Sequence, residues 1–355
     1  MDLFLQAPGP RLVEAVEFLK ARMEQLYEYC ELIRIVANWL FLGSTIVVLS
    51  IIGILVGSSD VGISESLSEL FDPTDTVIST IIWEIRLPRL CLSLLAGGCL
   101  GLAGTLIQLS TRSPLGDANL FGIGGGSALV LAFSMAGLVI FNGITLLLAS
   151  IVGALFVSWL LTGLIASRNL TPTRLILMGI ALGSLMVAIS ISVVSYGRVF
   201  PVQAIGLVAG SFTASTWEMV RLSLIALLFS LVLSLTLSGR IRPMLIGDTL
   251  TRTLGINPFK TRVLAMGIVA ILTGTSVYAG GMVAFVGLVS PHIARRLFGN
   301  AIYQLFIGST VIGSLLVLLA DQVARLLAAP TELPIGLTTT LIGAPVMIYL
   351  ALKIK

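Results

Sequence analysis

The chain has 355 residues, 57% of them hydrophobic and only 11% charged, with a formal net charge of +4. A water-soluble domain of this length carries about 25% charged residues, so most of this chain has hydrocarbon as its solvent. The few basic residues are scattered through loops rather than gathered on one face, which excludes nucleic acid as a partner.

Residues 1–36 hold no apolar stretch of signal-peptide type. Leu12, Val16, Leu19, Met23, Leu26, Cys30 and Ile33 recur at helical spacing, with Glu14, Glu17, Lys20, Glu24 and Glu28 on the other face. This pattern predicts an amphipathic cytoplasmic N-terminal helix over 1–36, followed by a transmembrane permease domain over 37–355. Spans are expected near 37–57, 88–108, 119–140, 142–165, 174–196, 219–238, 262–278, 281–295, 303–324 and 335–352. Long uninterrupted apolar runs select helices over a β-barrel, because backbone groups in lipid must be paired internally. The fold class is therefore an all-α polytopic membrane protein with about ten transmembrane helices.

Orientation follows from the basic residues. With the N-terminus inside, all lysines and arginines but Arg86, Arg89, Arg198, Arg221 and Arg325 fall on the cytoplasmic side. Both termini are then cytoplasmic. Between the spans lie an acidic outer segment, Ser58–Glu84, a short cytoplasmic connection, Thr111–Asn119, and a long cytoplasmic loop, Gly239–Thr261. That loop has room for one or two short helices before the turn Gly255–Pro258.

The chain contains no G-x-x-x-x-G-K-[ST] phosphate loop. Gly122–Gly126 and the pair Gly97 and Gly101 read as helix-packing sites, where small residues let backbones approach. The three cysteines and the single His292 have no metal-ligand spacing, and no nucleophile–base pair is present. Ion-driven carriers keep carboxylates inside their spans. Here Asp321 is the nearest candidate, and Arg325 four residues on can pair with it along the helix. What remains is a passage that borrows its energy elsewhere, a transport subunit and not an enzyme. Arg86, Arg89 and Arg325 at the outer ends of spans suit docking to carboxylates of a partner, or snorkelling to headgroups. Pro334 and Pro345 bracket the last span, which suits either a cavity lining or kinked packing. The stretch Ile246–Ile256 can form a short helix seated in a cytoplasmic partner.

Several motifs then agree in order over residues 38–355. They are Arg86-Leu-Pro-Arg89, Ser113-Pro-Leu-Gly-Asp117, Thr173–Gly183, Gly247-Asp248 to Leu254-Gly255, Phe285–Arg295, and Glu332-Leu-Pro-Ile-Gly through Gly343-Ala-Pro345. In these the chain resembles the permeases of iron-siderophore, haem and cobalamin ABC importers, with the type II importer fold. The resemblance implies a permease subunit for ferric siderophore-type chelates in the bacterial plasma (inner) membrane; haem, cobalamin or a stand-alone secondary transporter are the alternatives. It implies two ABC ATPase subunits that bind ATP and Mg, a second permease subunit, identical or paralogous, and a periplasmic or lipid-anchored substrate-binding protein. This chain would hold no cofactor or metal and would contact membrane lipid. Carried over by position, Arg86, Arg89 and Arg325 would dock the binding protein. Ser113 and Leu115, with Thr171 and Pro172, would form a cytoplasmic gate. Gly247, Asp248, Thr249, Leu250, Arg252, Leu254 and Gly255 would couple to the ATPase. Ser113 stands where the family usually has Asn, Pro172 replaces a small polar residue, and residues 1–36 exceed the usual start.

Overall fold

The computed structural model describes residues 10–55, 69, 76–167, 172–327 and 332–353, and every regular element among them is helical. By backbone contacts the chain divides at Ser44/Thr45, and residues 45–355 form the larger unit. Helix α1 covers Pro10–Leu55. Regular helix therefore runs through residue 36, where the sequence predicts a boundary; most side chains before Ile33 lie outside the described residues.

The next helical segment begins with one turn, Val77–Thr80, capped by Thr76 Oγ1, which accepts from Ser79 N at 3.2 Å. A π-helical stretch, Ile81–Arg86, leads into α2, Leu87–Thr111. Pro88 lacks the N–H that would continue the α-helical ladder here, and the wider π turn absorbs the missing bond. There follow α3 (Ile123–Met135), α4 (Gly143–Ser167), α5 (Pro172–Tyr196), α6 (Pro201–Ala209) and α7 (Trp217–Met244). The chain closes with α8 (Asp248–Thr253), α9 (Pro258–Gly280), α10 (Val286–Phe298), α11 (Ile302–Leu327) and α12 (Ile335–Lys353).

Seven helical stretches among the described residues are long and apolar enough to cross a membrane. The shorter apolar helices α3 and α12 coincide with two further expected spans, and the 13-residue α10 falls on part of the third, in keeping with about ten membrane helices. Two departures are informative. The stretch 281–295 is not one span: residues 281–285 are non-helical and α10 starts at Val286. The connection expected after span five contains α6, nine residues started by Pro201 and stopped by Gly210 at φ 79°. Such a helix is about 14 Å long, too short to cross.

Helices α2 and α9 form the centre: in an 18-residue apolar stretch of each of these two segments 78% of the residues are buried, against 22% in that of α5. Small residues make this possible. A Cβ on Gly97, Gly101 or Gly104 would strike the backbone of Gly313, Ser309 or Gly287. Thus α2 lies directly against α11 and α10, as the Gly97 and Gly101 pair predicts. Gly122 at φ 74° does the same against Gly183 of α5. Large apolar side chains such as Trp159, Phe229 and Ile225 point outward. In water that surface would be untenable; in hydrocarbon it is the expected lining.

Candidate functional site

At one end of the bundle the arginines expected to face a partner are all buried: Arg86, Arg89 and Arg325 are 4%, 6% and 6% exposed. The last carbonyls of a helix have no intrahelical donor and carry partial negative charge. Arg86 Nη1 donates to Ile54 O at 2.6 Å, and Arg325 Nη2 donates to Gly53 O at 3.0 Å. The two side chains, from different segments, cap the C-terminus of α1. Arg89 turns between two carboxylates. Its Nε and Nη2 donate to Asp321 at 3.1 and 2.8 Å, and its Nη1 donates to Glu332 at 2.8 Å. The expected partner of Asp321 was Arg325, one helical turn along; the pair that forms joins α11 to α2 instead, and Arg325 reaches α1. The rim-facing posture expected of the three arginines is not the one adopted, because acceptors within this chain already engage them. Glu332, which motif position alone did not assign, is the exposed member of the cluster.

Glu332 and Pro334 also border a cavity of about 680 Å³. It exists because α6 and α9 both stop short. Ser211 N donates to Gly280 O at 2.8 Å, Met282 N to Leu207 O at 3.0 Å, and Ile335 N to Gly210 O at 3.2 Å. The loose backbone of three broken helices is thereby paired, which is the condition for irregular backbone within a membrane protein. Glycines at 210 and 281 supply the left-handed φ values of 79° and 73° that these stops need. The lining is largely apolar, with Ser134, Gln203, Ser211, Thr213, Tyr278 and Glu332 as its polar side chains. Sparse polar groups on an apolar wall suit passage rather than tight capture.

At the other end of α2, Arg112 takes a left-handed conformation, φ 53°, and the chain turns sharply. Gly116 N donates to Ser113 O at 3.2 Å, and Leu115 N to Ser113 Oγ at 3.4 Å. Pro114 occupies the position whose φ it pre-sets. Ser113 is buried and Leu115 partly so. Thr171 lies outside the described residues, and Pro172 begins α5 with its side chain likewise outside them, so the structure pairs only Ser113 with Leu115.

The expected coupling segment contains α8. Gly247 precedes it at φ 152°, and Gly255 follows at φ 75°. Thr251 is buried, its hydroxyl donating to Gly247 O at 2.6 Å. Asp248 faces inward and accepts from Arg112 and from Arg262, the latter at 2.8 and 3.0 Å. Burial raises the carboxyl's pKa, but the two guanidiniums outweigh it and hold the group below the ordinary aspartate value. Thr249, Leu250, Arg252 and Leu254 are exposed, with Ile246 beside them. Apolar side chains presented on a short, charged helix between two spans suit a protein partner better than lipid.

The model of the FecCD transport family matches residues 45–353. The chain belongs to the FecCD transport family. FecCD relatives include the Fe(3+)-citrate import system permease protein YfmD of Bacillus subtilis, 32% identical across 84% of this chain and 89% of that protein. The iron(3+)-hydroxamate import system permease protein FhuG of the same organism is 32% identical across 87% and 94%. A vitamin B12 import system permease protein, BtuC of Vibrio parahaemolyticus, is 29% identical across 87% and 93%. Among solved structures, a metal-chelate type ABC transporter in an inward-facing conformation superposes with a TM-score of 0.73 at 27% identity, over 89% of this chain and 98% of that one. The all-helical, multi-pass permease fold expected from hydropathy and motif order is thus the family's fold, and the chain is a membrane transport subunit. Residues outside those motifs build much of the observed geometry. Gln108, Asn119 and Arg262 were not singled out by the sequence, though a glutamine inside an apolar span is a signal that could have marked the first of them.

Proposed function

We propose that this chain is the permease subunit of an ATP-driven ABC importer for ferric siderophore-type chelates, in the bacterial plasma membrane with both termini cytoplasmic. The observation that carries the reading is the family match over 45–353, joined to relatives whose cargoes are named as ferric citrate and ferric hydroxamate. A binding protein delivers the chelate at the end where Arg86, Arg89 and Arg325 underlie the exposed Glu332. The chelate crosses beside the cavity between α6, α9 and the start of α12. Ser113 and Leu115, with Thr171 and Pro172, form the cytoplasmic gate. Two ATPase subunits, which bind the ATP and Mg, seat on residues 247–255, where Ile246, Leu250 and Leu254 offer apolar contact. A second permease subunit, identical or paralogous, completes the path, and this chain needs no cofactor of its own.

The test is reconstitution of the complex, purified through this chain, in liposomes. The expected results are a co-purifying ATPase and vanadate-sensitive uptake of a radio-iron hydroxamate chelate. Uptake driven by an ion gradient without nucleotide would overturn the reading. Uptake of cyanocobalamin in place of the iron chelate would move the cargo to the cobalamin branch.

A further inference from the structure

The loop that follows α2 is held at both ends, by different bodies. Its far end is fixed to α10 and the link before it. Asp117 Oδ1 accepts from Asn119 N at 2.9 Å and Leu120 N at 3.1 Å, and its Oδ2 lies against Gly287 in the first turn of α10. Asn119 Nδ2 donates to Val283 O at 2.6 Å. Gln108 Nε2 lies within 3.4–3.5 Å of Gly116 O, Gly287 O and Leu288 O, and Arg295 Nη1 orients that amide by donating to its oxygen at 2.8 Å. The near end is Arg112. Its backbone is the only left-handed non-glycine between α1 and α5 among the described residues, and its guanidinium is bonded to Asp248, the first residue of α8. Between these anchors stand Ser113, Pro114 and Leu115.

We propose that Arg112 is a positioning residue that passes movement of α8 directly to the Ser113–Leu115 turn, with Asp248 as the link and Arg262 as its fixed counterpart. This rests on the reading of α8 as the element that the ATPase moves. Three geometric facts set the direction. Arg112 is where the chain changes course, so a small shift of its side chain rotates the turn that follows; a non-glycine residue there is costly to hold and is kept by its surroundings. Arg262 stands at the start of α9 and donates from Nε to Ser110 O at 3.3 Å, so it fixes the end of α2 and leaves Arg112 as the member that can move. Asp248 itself is the shared acceptor, so α8 cannot leave its seat without loosening Arg112. Its side chain is 36% exposed and Arg112 34%, a partly wet pair that can break and re-form within a transport cycle rather than a permanent staple. Asp248 then acts within this chain, and the exposed Leu250 and Leu254 make the contact with the partner.

The test uses the complete importer, with its binding protein and ATPase, in proteoliposomes, reading ferric hydroxamate taken up per ATP hydrolysed. Asp248→Asn and Arg112→Gln are each expected to lower that ratio by about fivefold or more, the lower end of ordinary coupling between sites. The double variant should be no worse than the poorer single, because both cut one link. Asp248→Glu should restore the ratio to within about twofold of the wild type, since it keeps the acceptor charge. Size-exclusion chromatography should show the ATPase still bound in all four. An unchanged ratio in Asp248→Asn, or losses that multiply in the double variant, would overturn the link. Loss of the ATPase from Asp248→Asn would also overturn it, by assigning the carboxylate to the partner contact. If the wild-type complex itself fails to couple ATP to uptake, the proposed function falls first.

Discussion

Arg89 on α2 and Asp321 on α11, 232 residues apart in sequence, meet through two guanidinium nitrogens at 3.1 and 2.8 Å with side chains only 7% and 3% exposed. A buried ion pair adds little over a well-packed apolar pair, but breaking one strands a charge. Removing Asp321 leaves Arg89 with Glu332 alone. Asp321→Ala is expected to destabilise the protein by about 3 kcal/mol or more. Arg89→Leu with Asp321→Leu should cost clearly less than the sum of the two singles. Thermal unfolding in detergent checks both; strict additivity would show that the pair does not act as one.

The cap on α1 makes a second prediction. Arg86→Gln removes the cationic donor from Ile54 O, and Arg325→Gln removes it from Gly53 O. Each is expected to cost about 1–2 kcal/mol, the worth of a charged group at a helix C-terminus in a partly buried setting. Amides near residues 50–55 should exchange hydrogen faster in the variants than in the wild type, while α9 amides keep their protection.

The glycine seam is sterically strict. A Cβ at Gly104 would meet the carbonyl and α-carbon of Gly287, which are backbone and cannot swing aside. Gly104→Ala is expected to destabilise by about 1–3 kcal/mol despite alanine's better helix propensity. Gly43, with nothing within 4 Å of the added methyl, should tolerate the same change with no loss. Comparing the two melting temperatures decides whether packing or propensity governs.

Asp248 gives a pH dependence with a definite sign. Its folded-state carboxyl lies below the ordinary value, so the charged form favours the seated α8. That contribution is complete above the unfolded-state pKa of about 4 and is lost as pH falls through the depressed value. A nitroxide at exposed Thr253 should report an immobile α8 from neutral pH down to about pH 5 and a mobile one in more acid solution. In Asp248→Asn the mobility should be high throughout and show no such step. A transition of equal size in the variant would place the titrating group elsewhere.

Helix class and the approximate number of spans were legible in the residues because hydrocarbon imposes a simple rule on each segment separately: about 20 apolar residues with a paired backbone. The six motifs in register carried the family. The half-helix α6 escaped that rule because its nine mostly apolar residues begin at Pro201 and end before Gly210, a pattern equally readable as a loop. The broken stretch 281–285 escaped it for the complementary reason: Met282, Val283, Ala284 and Phe285 are as apolar as any span, and their departure from helix depends on backbone partners in α6 and on Asn119.

The sequence by itself determined an all-helical membrane protein of about ten spans, since this follows from composition and hydropathy, and its ordered motifs, from Arg86-Leu-Pro-Arg89 to Gly343-Ala-Pro345, carried the likeness to transport permeases. Only the tertiary structure decided what the charged residues do. Asp321 takes Arg89 rather than its helical neighbour Arg325, and Asp248 takes Arg112 and Arg262, because a charge pairs with whichever opposite charge the packing brings within about 3 Å. For Arg89 and Asp321 that distance follows from the close glycine contacts of α2 with α11, which join helices far apart in the chain and which no local pattern of residues encodes.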